Sequence, residues 1–126
     1  MIFMDKEFFY LHSELCKTLA NPKRQEIMDS LRAGEMSVNK LVKATGIAQA
    51  NLSQHLAIMR ARGVLISRRD GANVYYAISN PKIYQAFDLL TEVMQEKQVK
   101  NDKTIDEGVA HARGLDRQSD ILARKP

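Results

Sequence analysis

The sequence contains few of the residues that cross-link small proteins or anchor them in membranes. Its 126 residues include one cysteine, three prolines and no tryptophan. One cysteine cannot form a disulfide within the chain, which excludes the disulfide-rich secreted domains and favours a reducing compartment. The first residues lack the basic and then apolar pattern of a secretory signal, and no apolar run approaches the roughly 18 residues of a membrane span. We therefore expect a cytoplasmic protein that makes no contact with a membrane.

Acidic residues are absent from one block of the chain. The whole sequence has 19 Lys and Arg against 15 Asp and Glu, a net charge of +4. Residues 40–69 contain no acid, whereas the segments before and after them each hold one acid more than they hold bases. A concentration of positive charge of this kind is typical of a surface that binds phosphate groups. The basic residues of the block are Lys40, Lys43, Arg60, Arg62, Arg68 and Arg69.

Helical periodicity is present over most of the chain. Apolar residues recur at helical spacing in five segments, residues 5–20, 22–32, 38–45, 48–62 and 81–98. Only a few residues separate the third segment from the fourth, which predicts a helix-turn-helix with residues 48–62 as its second helix. The first and fifth segments carry apolar arcs wider than one monomer needs, so we predict that these two helices form a dimer interface.

After the fourth helix the apolar pattern changes to alternation. Residues 64–69 and 74–78 alternate as strands, and Asp70-Gly71-Ala72-Asn73 between them predicts a hairpin turn. The predicted fold is therefore mainly α with a small β-hairpin, a winged helix-turn-helix. We expect residues 1–98 to form this DNA-binding and dimerisation domain, and residues 99–126, where apolar residues become sparse, to form a charged, loosely ordered C-terminal tail.

The predicted fourth helix has two chemically different faces. Leu52, His55, Leu56 and Met59 fall on one arc, which we expect to be buried. The opposite arc holds small and polar side chains and no acid. Glutamine, asparagine and serine can bind base edges in the major groove, arginine can bind a phosphate, and alanine lets the backbone approach DNA closely. The residues of this helix predicted to contact DNA are Gln49, Ala50, Asn51, Ser53, Gln54 and Arg60.

The predicted hairpin carries basic and polar residues near its tip. Arg68, Arg69, Asn73 and Tyr75 lie there, and residues 68–75 are predicted to form a wing that contacts the DNA backbone or the minor groove. Each feature has a plainer interpretation, because any surface helix is polar outside and any exposed turn is solvated. Their combination within one acid-free block favours binding to DNA.

Four blocks of sequence, in order, resemble the ArsR/SmtB family of winged helix-turn-helix repressors. Residues 19–28 (LANPKRQEIM) resemble the L-A-x-P-x-R-x-x-I-L opening of the family pattern, and residues 34–41, 51–56 and 68–76 continue it. The resemblance covers about residues 8–98. It implies a homodimer built from the first and last helices, which binds a double-stranded operator of dyad symmetry with one recognition helix in each major groove.

The sequence lacks the metal sites that the resemblance would otherwise imply. The thiolate site of the family needs Cys-Val-Cys in the third helix, where this chain has Ser37-Val38-Asn39, so that site cannot bind soft metals. The zinc site on the last helix needs histidine as well as carboxylate, whereas this chain offers Asp88, Glu92 and Glu96. We therefore predict no metal site and no cofactor.

The sequence does not decide whether the single cysteine, Cys16, controls DNA binding. His12 precedes Cys16 by one helical turn, a spacing at which the two could share a metal or His12 could help to ionise the thiol. The plainer interpretation is that Cys16 packs in an interface. A redox switch at Cys16, a site completed by the partner chain, a small-molecule effector and the lack of any effector remain alternatives.

These observations together predict a homodimeric, sequence-specific DNA-binding transcriptional regulator that acts as a repressor. The alternative is a winged-helix module that contacts proteins and does not bind DNA sequence-specifically. The sequence has no P-loop, no GxGxxG before a helix, no HExxH and no Ser/His/Asp order, so we do not expect an enzyme.

Overall fold

The computed structural model describes residues 4–106, and the side chains of residues 4–98. The chain divides into two compact units between residues 80 and 81, and the described part of the second unit is one helix. The elements in chain order are α1 (Lys6–Leu19), α2 (Pro22–Ser30), a 3-10 turn (Leu31–Ala33), β1 (Met36–Ser37), α3 (Val38–Thr45), α4 (Gln49–Ala61), β2 (Leu65–Asp70), β3 (Asn73–Ile78) and α5 (Lys82–Asp106).

Side-chain caps fix the beginnings of the first three helices. The Asp5 carboxylate accepts a hydrogen bond from the Phe8 amide at 2.9 Å, and the Asn21 side chain accepts from the amides of Lys23 and Arg24. The Ser37 hydroxyl accepts from the Lys40 amide at 3.2 Å. Each cap satisfies amide groups that have no partner in the first turn of a helix, so local sequence sets these boundaries.

A tight turn joins α3 to α4. Gly46 follows α3 with a φ of +74°, in the left-handed region that glycine enters at little cost. The Thr45 hydroxyl accepts a hydrogen bond from the Ile47 amide at 3.2 Å, and the Ile47 side chain is buried. The predicted helix-turn-helix is therefore present, with α4 one residue shorter at each end than residues 48–62.

The core of the first unit lies between α2, α3, α4 and the start of β2. Its largest fully buried side chains come from each of these elements, so α4 is fixed against the rest of the unit along its whole inner face. These side chains are Ile27, Met28, Leu41, Leu52, Leu56, Met59, Val64 and Leu65.

The sheet has three antiparallel strands where the sequence predicts a two-stranded hairpin. The strand order is β1-β3-β2, and β1 pairs Met36 with Tyr76 and Ser37 with Tyr75. A strand of two residues is too short to show alternation, which is why the sequence pattern does not reveal it. The turn is also tighter than expected, because Asp70 and Asn73 are themselves paired and only Gly71 and Ala72 lie between the strands.

The last helix is longer than its sequence predicts. Helix α5 continues to Asp106, so the expected end at Gln98 and the domain boundary placed there fall inside a helix. Residues 99–106 contain neither glycine nor proline, and a fall in apolar content alone does not end a helix. Residues 107–126, the rest of the predicted tail, lie outside the described residues.

Both terminal helices leave large apolar side chains in solvent. In α1, Phe9, Tyr10 and Leu11 are each about 60% exposed, and the buried residue is Thr18. In α5, the exposed apolar side chains are Leu89, Leu90, Val93 and Met94. Within the described residues, no helix combines the length and the apolar character needed to cross a membrane.

Candidate nucleic-acid interface

Helix α4 separates its residues into the two faces that its sequence predicts. Leu52, Leu56 and Met59 are at most 1% exposed, and His55 is half-buried. On the other side, every residue predicted to contact DNA is exposed, namely Gln49, Ala50, Asn51, Ser53, Gln54 and Arg60. This outer face carries hydrogen-bonding groups and one positive charge but no carboxylate, so it is suited to contact DNA bases and phosphates.

A hydrogen bond between Arg24 and His55 joins the inner edge of α4 to α2. The Arg24 Nε group of α2 donates a hydrogen bond to His55 Nδ1 at 3.2 Å, and Arg24 Nη1 donates to the Thr18 carbonyl oxygen of α1 at 3.3 Å. Arg24 therefore joins three helices. Since Nδ1 of His55 accepts this bond, the ring must be neutral and carry its proton on Nε2.

The protonation equilibrium of His55 agrees with this arrangement. Partial burial of the ring lowers the pKa of His55 below its usual value, and the nearby positive charges of Arg24 and Lys23 lower it further. His55 thus acts as a buttress behind α4 and is not one of the exposed residues that would contact a base.

A second contact joins α1 to the end of α4. Arg62 Nη1 lies 3.3 Å from Oε1 of Glu14, which also pairs with Lys17 at 3.4 Å. The hydrogen bond from Arg62 lowers the pKa of the Glu14 carboxyl, with a further contribution from Lys17. Arg62 belongs to the acid-free block in sequence, but its charge is neutralised by an acid from outside the block.

The two arginines of the hairpin point to opposite faces of the sheet. Arg68 is paired across the hairpin with Tyr75, and Arg69 with Val74. Because directly opposite residues share a face and neighbouring residues alternate, Arg68 lies with Tyr75 on one face, and Arg69 lies on the other. Their side chains therefore leave the strand on opposite sides, although both residues border one pocket beside the hairpin.

Arg68 is held by partners from its own chain. Its Nε donates to Glu35 Oε2 at 2.8 Å and its Nη2 also contacts this carboxylate, which makes the pair bidentate. The guanidinium lies 4.6 Å from the centre of the Tyr75 ring, and Asp70 lies 3.9 Å from its Nη1. The hydrogen bond with Arg68 lowers the pKa of Glu35, and the same bond raises the pKa of Arg68.

Arg60 and Arg69 differ from Arg68 in this respect. Both side chains are exposed, and within residues 4–98 neither forms an ion pair or a side-chain hydrogen bond. They line the same pocket between the end of α4 and the sheet. The positive charge of the predicted interface is therefore concentrated at these two residues.

Cys16 is exposed on α1, and its Sγ lies 3.6 Å from His12 Nδ1. No group of three or more metal-binding side chains is found in the part of the chain that the structure describes. The Ser37 hydroxyl, at the position of the thiolate motif, is used to cap α3. The thiol faces solvent in the single chain, so the expectation that Cys16 packs in a subunit interface stays a prediction.

Sequence reasoning did not identify two residues that shape this interface. Glu35 comes directly before β1 and holds Arg68, and Arg24 supports His55. Both lie in the blocks that carry the family resemblance, but neither has a role that spacing or charge would indicate. Their partners are 33 and 31 residues distant in the chain, so only the fold brings them together.

Comparison with known proteins agrees with this geometry. Residues 21–67 match a sequence model described as "Bacterial regulatory protein, arsR family". The nodulation protein NolR of Rhizobium meliloti is 39% identical over 60% of this chain and 62% of its own length. The HTH-type transcriptional regulator Rv0081 of Mycobacterium tuberculosis is 37% identical over 72% of this chain and 82% of its own. The transcriptional repressor PagR of Bacillus anthracis is 33% identical over 73% and 97%.

Solved structures show the same fold. The crystal structure of Rv0081 matches with a TM-score of 0.67 and 33% identity over 79% of this chain and 99% of that one. A solution structure from Mycobacterium bovis, described as a homodimeric winged helix-turn-helix DNA-binding domain, matches with a TM-score of 0.67 and 28% identity over 78% and 94%. The predicted winged helix-turn-helix is confirmed.

The fold and the similarities together define a DNA-binding regulator of transcription, a class of protein that is not enzymatic. The chain belongs to the ArsR family of bacterial regulatory proteins.

Proposed function

We propose that this chain is a homodimeric repressor that binds an operator of dyad symmetry, with one α4 in each of two successive major grooves. The observation that carries the proposal is the division of α4 into a fully buried apolar face and an exposed face without acid. A helix fixed in this way presents its polar groups to DNA in one geometry, which sequence-specific binding requires. Such a regulator acts where the chromosome is, which for a bacterial protein is the cytoplasm.

The dimer is proposed to form through α1 and α5. Each helix exposes several large apolar side chains, among them Phe9 and Leu11 in α1 and Leu90 in α5. Exposed apolar surface of this kind is typical of a subunit interface. The relative from Mycobacterium bovis is described as homodimeric, which supports a two-fold assembly and hence an operator with two half-sites.

Base recognition is assigned to the amino-terminal half of α4. The side chains of Gln49, Asn51, Ser53 and Gln54 are proposed to hydrogen-bond base edges, and Ala50 is proposed to allow a close approach of the helix. All five residues are exposed. None is proposed to bind phosphate, so their replacement should reduce the preference for the operator more than the affinity for DNA in general.

The wing is proposed to contact DNA through Arg69 and Asn73. Both are exposed, and within the described residues Arg69 has no carboxylate partner. Arg68 and Tyr75, which were predicted to contact DNA, are proposed instead to hold the shape of the hairpin, because Glu35 already occupies the guanidinium of Arg68.

Repression is the proposed direction of control. A dimer that covers an operator blocks polymerase without any further domain, and the relative PagR is named a repressor. The signal that releases the DNA is not assigned to a metal. Redox control through Cys16 remains a proposal, supported by the exposure of the thiol and by its contact with His12.

Binding to DNA from upstream of the protein's own coding sequence tests the function. Fluorescence anisotropy at physiological salt would compare that duplex with a shuffled duplex of equal composition. We expect tighter binding to the first, and loss of most of this preference when Gln49 and Gln54 are both replaced by alanine. Equal affinity of the unchanged protein for the two duplexes would contradict sequence-specific binding at this site and favour a protein-interaction module.

The same assay tests redox control. Operator affinity is measured for the reduced protein, for the peroxide-treated protein and for Cys16→Ser. A change on oxidation that Cys16→Ser abolishes would support the switch, whereas equal affinity in all three samples would exclude it.

A further inference from the structure

A pocket of about 300 Å³ lies where the last turn of α4 meets the sheet. It is separate from the amino-terminal half of α4, to which base recognition is assigned. Its walls come from α4, β2 and β3, so it lies within the first unit. The lining residues are Arg60, Ser67, Arg68, Arg69, Val74 and Tyr76.

The pocket is positively charged and its charge is uncompensated. Arg60 and Arg69 have no acidic partner among the described residues. Glu35, directly before β1, and Asp70, the last residue of β2, both contact Arg68. Two guanidinium groups without counterions at one pocket attract a ligand with at least one negative charge.

Neutral donors complete the pocket. Ser67 and Tyr76 are directly opposite each other in the hairpin, and within residues 4–98 neither hydroxyl has a hydrogen-bond partner. Arginine forks with hydroxyl donors beside them suit the tetrahedral oxygens of a phosphate group. Val74, opposite Arg69, gives the pocket one apolar wall.

The pocket lies far enough along α4 from Gln49 to stand at the edge of the major groove when the helix is bound to DNA. Gln49, Ser53 and Arg60 lie on one stripe of α4, because their spacing of four and eleven residues returns to the same side of a helix. Arg60 is about 16 Å along the axis from Gln49, farther than the roughly 12 Å width of the major groove. When Gln49 lies in the groove, Arg60 therefore reaches the phosphate backbone that borders it.

We propose that this pocket, which we call the seat, binds a single phosphate group. The DNA backbone supplies this phosphate at the edge of the half-site. The proposal rests on the proposed DNA-binding function and adds to it a defined anion site shared by α4 and the hairpin. One phosphate held by both elements fixes the angle between recognition helix and wing, and so sets the register of α4 on the operator.

Salt dependence of DNA binding tests the seat. The logarithm of the binding constant falls with the logarithm of salt concentration by about 0.9 for each phosphate contact that is neutralised. We expect Arg60→Gln and Arg69→Gln each to reduce this slope by up to about one, and the double variant by up to about two. Preference for the operator over a shuffled duplex should fall less than the affinity itself.

Arg62→Gln is the matched control. It removes the same charge two positions from Arg60 on the same helical segment, but Arg62 is paired with Glu14 and does not line the pocket. Its slope should equal that of the unchanged protein. An unchanged slope in the Arg60→Gln, Arg69→Gln double variant, with its thermal unfolding midpoint also unchanged, would overturn the proposal.

A second measurement needs no DNA and so separates this proposal from the function on which it rests. Nuclear magnetic resonance spectra of the free protein are recorded with inorganic phosphate and with chloride at equal ionic strength. We expect phosphate to shift the signals of Ser67, Arg69 and Tyr76 in the unchanged protein, and to leave those of Ser67 and Tyr76 unshifted in the Arg60→Gln, Arg69→Gln double variant. Absence of these shifts would overturn the seat. Shifts together with an unchanged salt slope would overturn the assignment to the DNA backbone and indicate a free phosphorylated ligand.

Discussion

Helices α1 and α4 have similar lengths, 14 and 13 residues, and both carry apolar residues at helical spacing, but they use their apolar faces differently. In α4 the side chains of Leu52, Leu56 and Met59 are buried within the chain, and Ile58 at the edge of this face is 39% exposed. In α1 the large apolar side chains Phe9 and Leu11 are exposed. The comparison shows that an amphipathic pattern predicts that a face will be buried but does not say whether the same chain will bury it.

The polar sides of the two helices differ as well. α4 has no acid, whereas α1 carries Glu7 and Glu14, and Glu14 pairs with Arg62 at the end of α4. Because α1 also carries Lys6 and Lys17, its side chains sum to no net charge, whereas α4 carries one positive charge from Arg60. The acid-free, positive surface of α4 thus favours its proposed role at the DNA, whereas α1 offers no net charge for that role.

The largest expected effect is on the buried face of α4. Leu56→Ala removes a side chain that is 1% exposed, and we expect it to lower the free energy of unfolding by about 3 kcal/mol through lost burial and the cavity left behind. Urea unfolding at a fixed protein concentration measures the change. Ala57→Gly, at an exposed neighbouring position, controls for backbone effects and should cost about 1 kcal/mol. An equal loss in both variants would mean that the inner face contributes no special stability.

A substitution on the exposed face of α1 should change the dissociation constant of the dimer. Leu11→Lys places a charge where apolar contact between subunits is proposed, and a symmetric dimer carries the change twice. A loss of about 1.5 kcal/mol per leucine corresponds to a dimer dissociation constant raised about 100-fold. Analytical ultracentrifugation measures this constant. Glu7→Gln changes the charge of the same helix by the same amount and should leave dimerisation nearly unchanged. A dimer of unaltered strength in Leu11→Lys would place the interface elsewhere.

A smaller effect is expected from replacing Glu35, the acid that forms a bidentate pair with Arg68 of the wing. Glu35→Gln releases Arg68, so the salt dependence of DNA binding should become steeper by up to about one contact. The pH dependence should change as well. The lowered pKa of Glu35 means that its pair with Arg68 adds stability above the ordinary carboxyl pKa and loses it as the pH falls through the lowered value. Urea midpoints at neutral and acidic pH should therefore converge slightly in Glu35→Gln. A salt slope equal to that of the unchanged protein would show that Arg68 already reaches DNA in spite of Glu35.

The smallest effect concerns the bond that joins α4 to α1 and α2. The folded-state pKa of His55 lies below the usual value, so the unfolded chain takes up a proton first as the pH falls below about 6.5. The stability that the neutral ring contributes is therefore present above that pH and is lost as the pH falls toward the lowered pKa. His55→Asn keeps an acceptor for Arg24 but does not titrate, so its urea midpoint should vary less between pH 7.5 and pH 5 than that of the unchanged protein. A pH dependence in His55→Asn equal to that of the unchanged protein would contradict this role of the neutral ring.

Local patterns predicted most of the first unit. The positions of the first four helices, the short connection between α3 and α4 and the inner arc of α4 depend on residues within a few positions of one another, and each is present as expected. The features that local patterns did not predict all join residues that are far apart in the sequence. Strand β1 needs β3 to exist at all, and the pairs Arg68–Glu35 and Arg24–His55 join residues more than 30 positions apart.

The sequence by itself determined where the helices and the hairpin form, which face of α4 is apolar, and that residues 40–69 carry only positive charge. These properties depend on periodicity, caps and composition, which act locally. Only the tertiary structure decided which of those positive charges stay available. Glu14 and Glu35 come from outside the block and neutralise Arg62 and Arg68, whereas Arg60 and Arg69 meet at one pocket. The reason is that ion pairs depend on separation in space, and the fold brings acids from distant parts of the chain to some arginines and not to others.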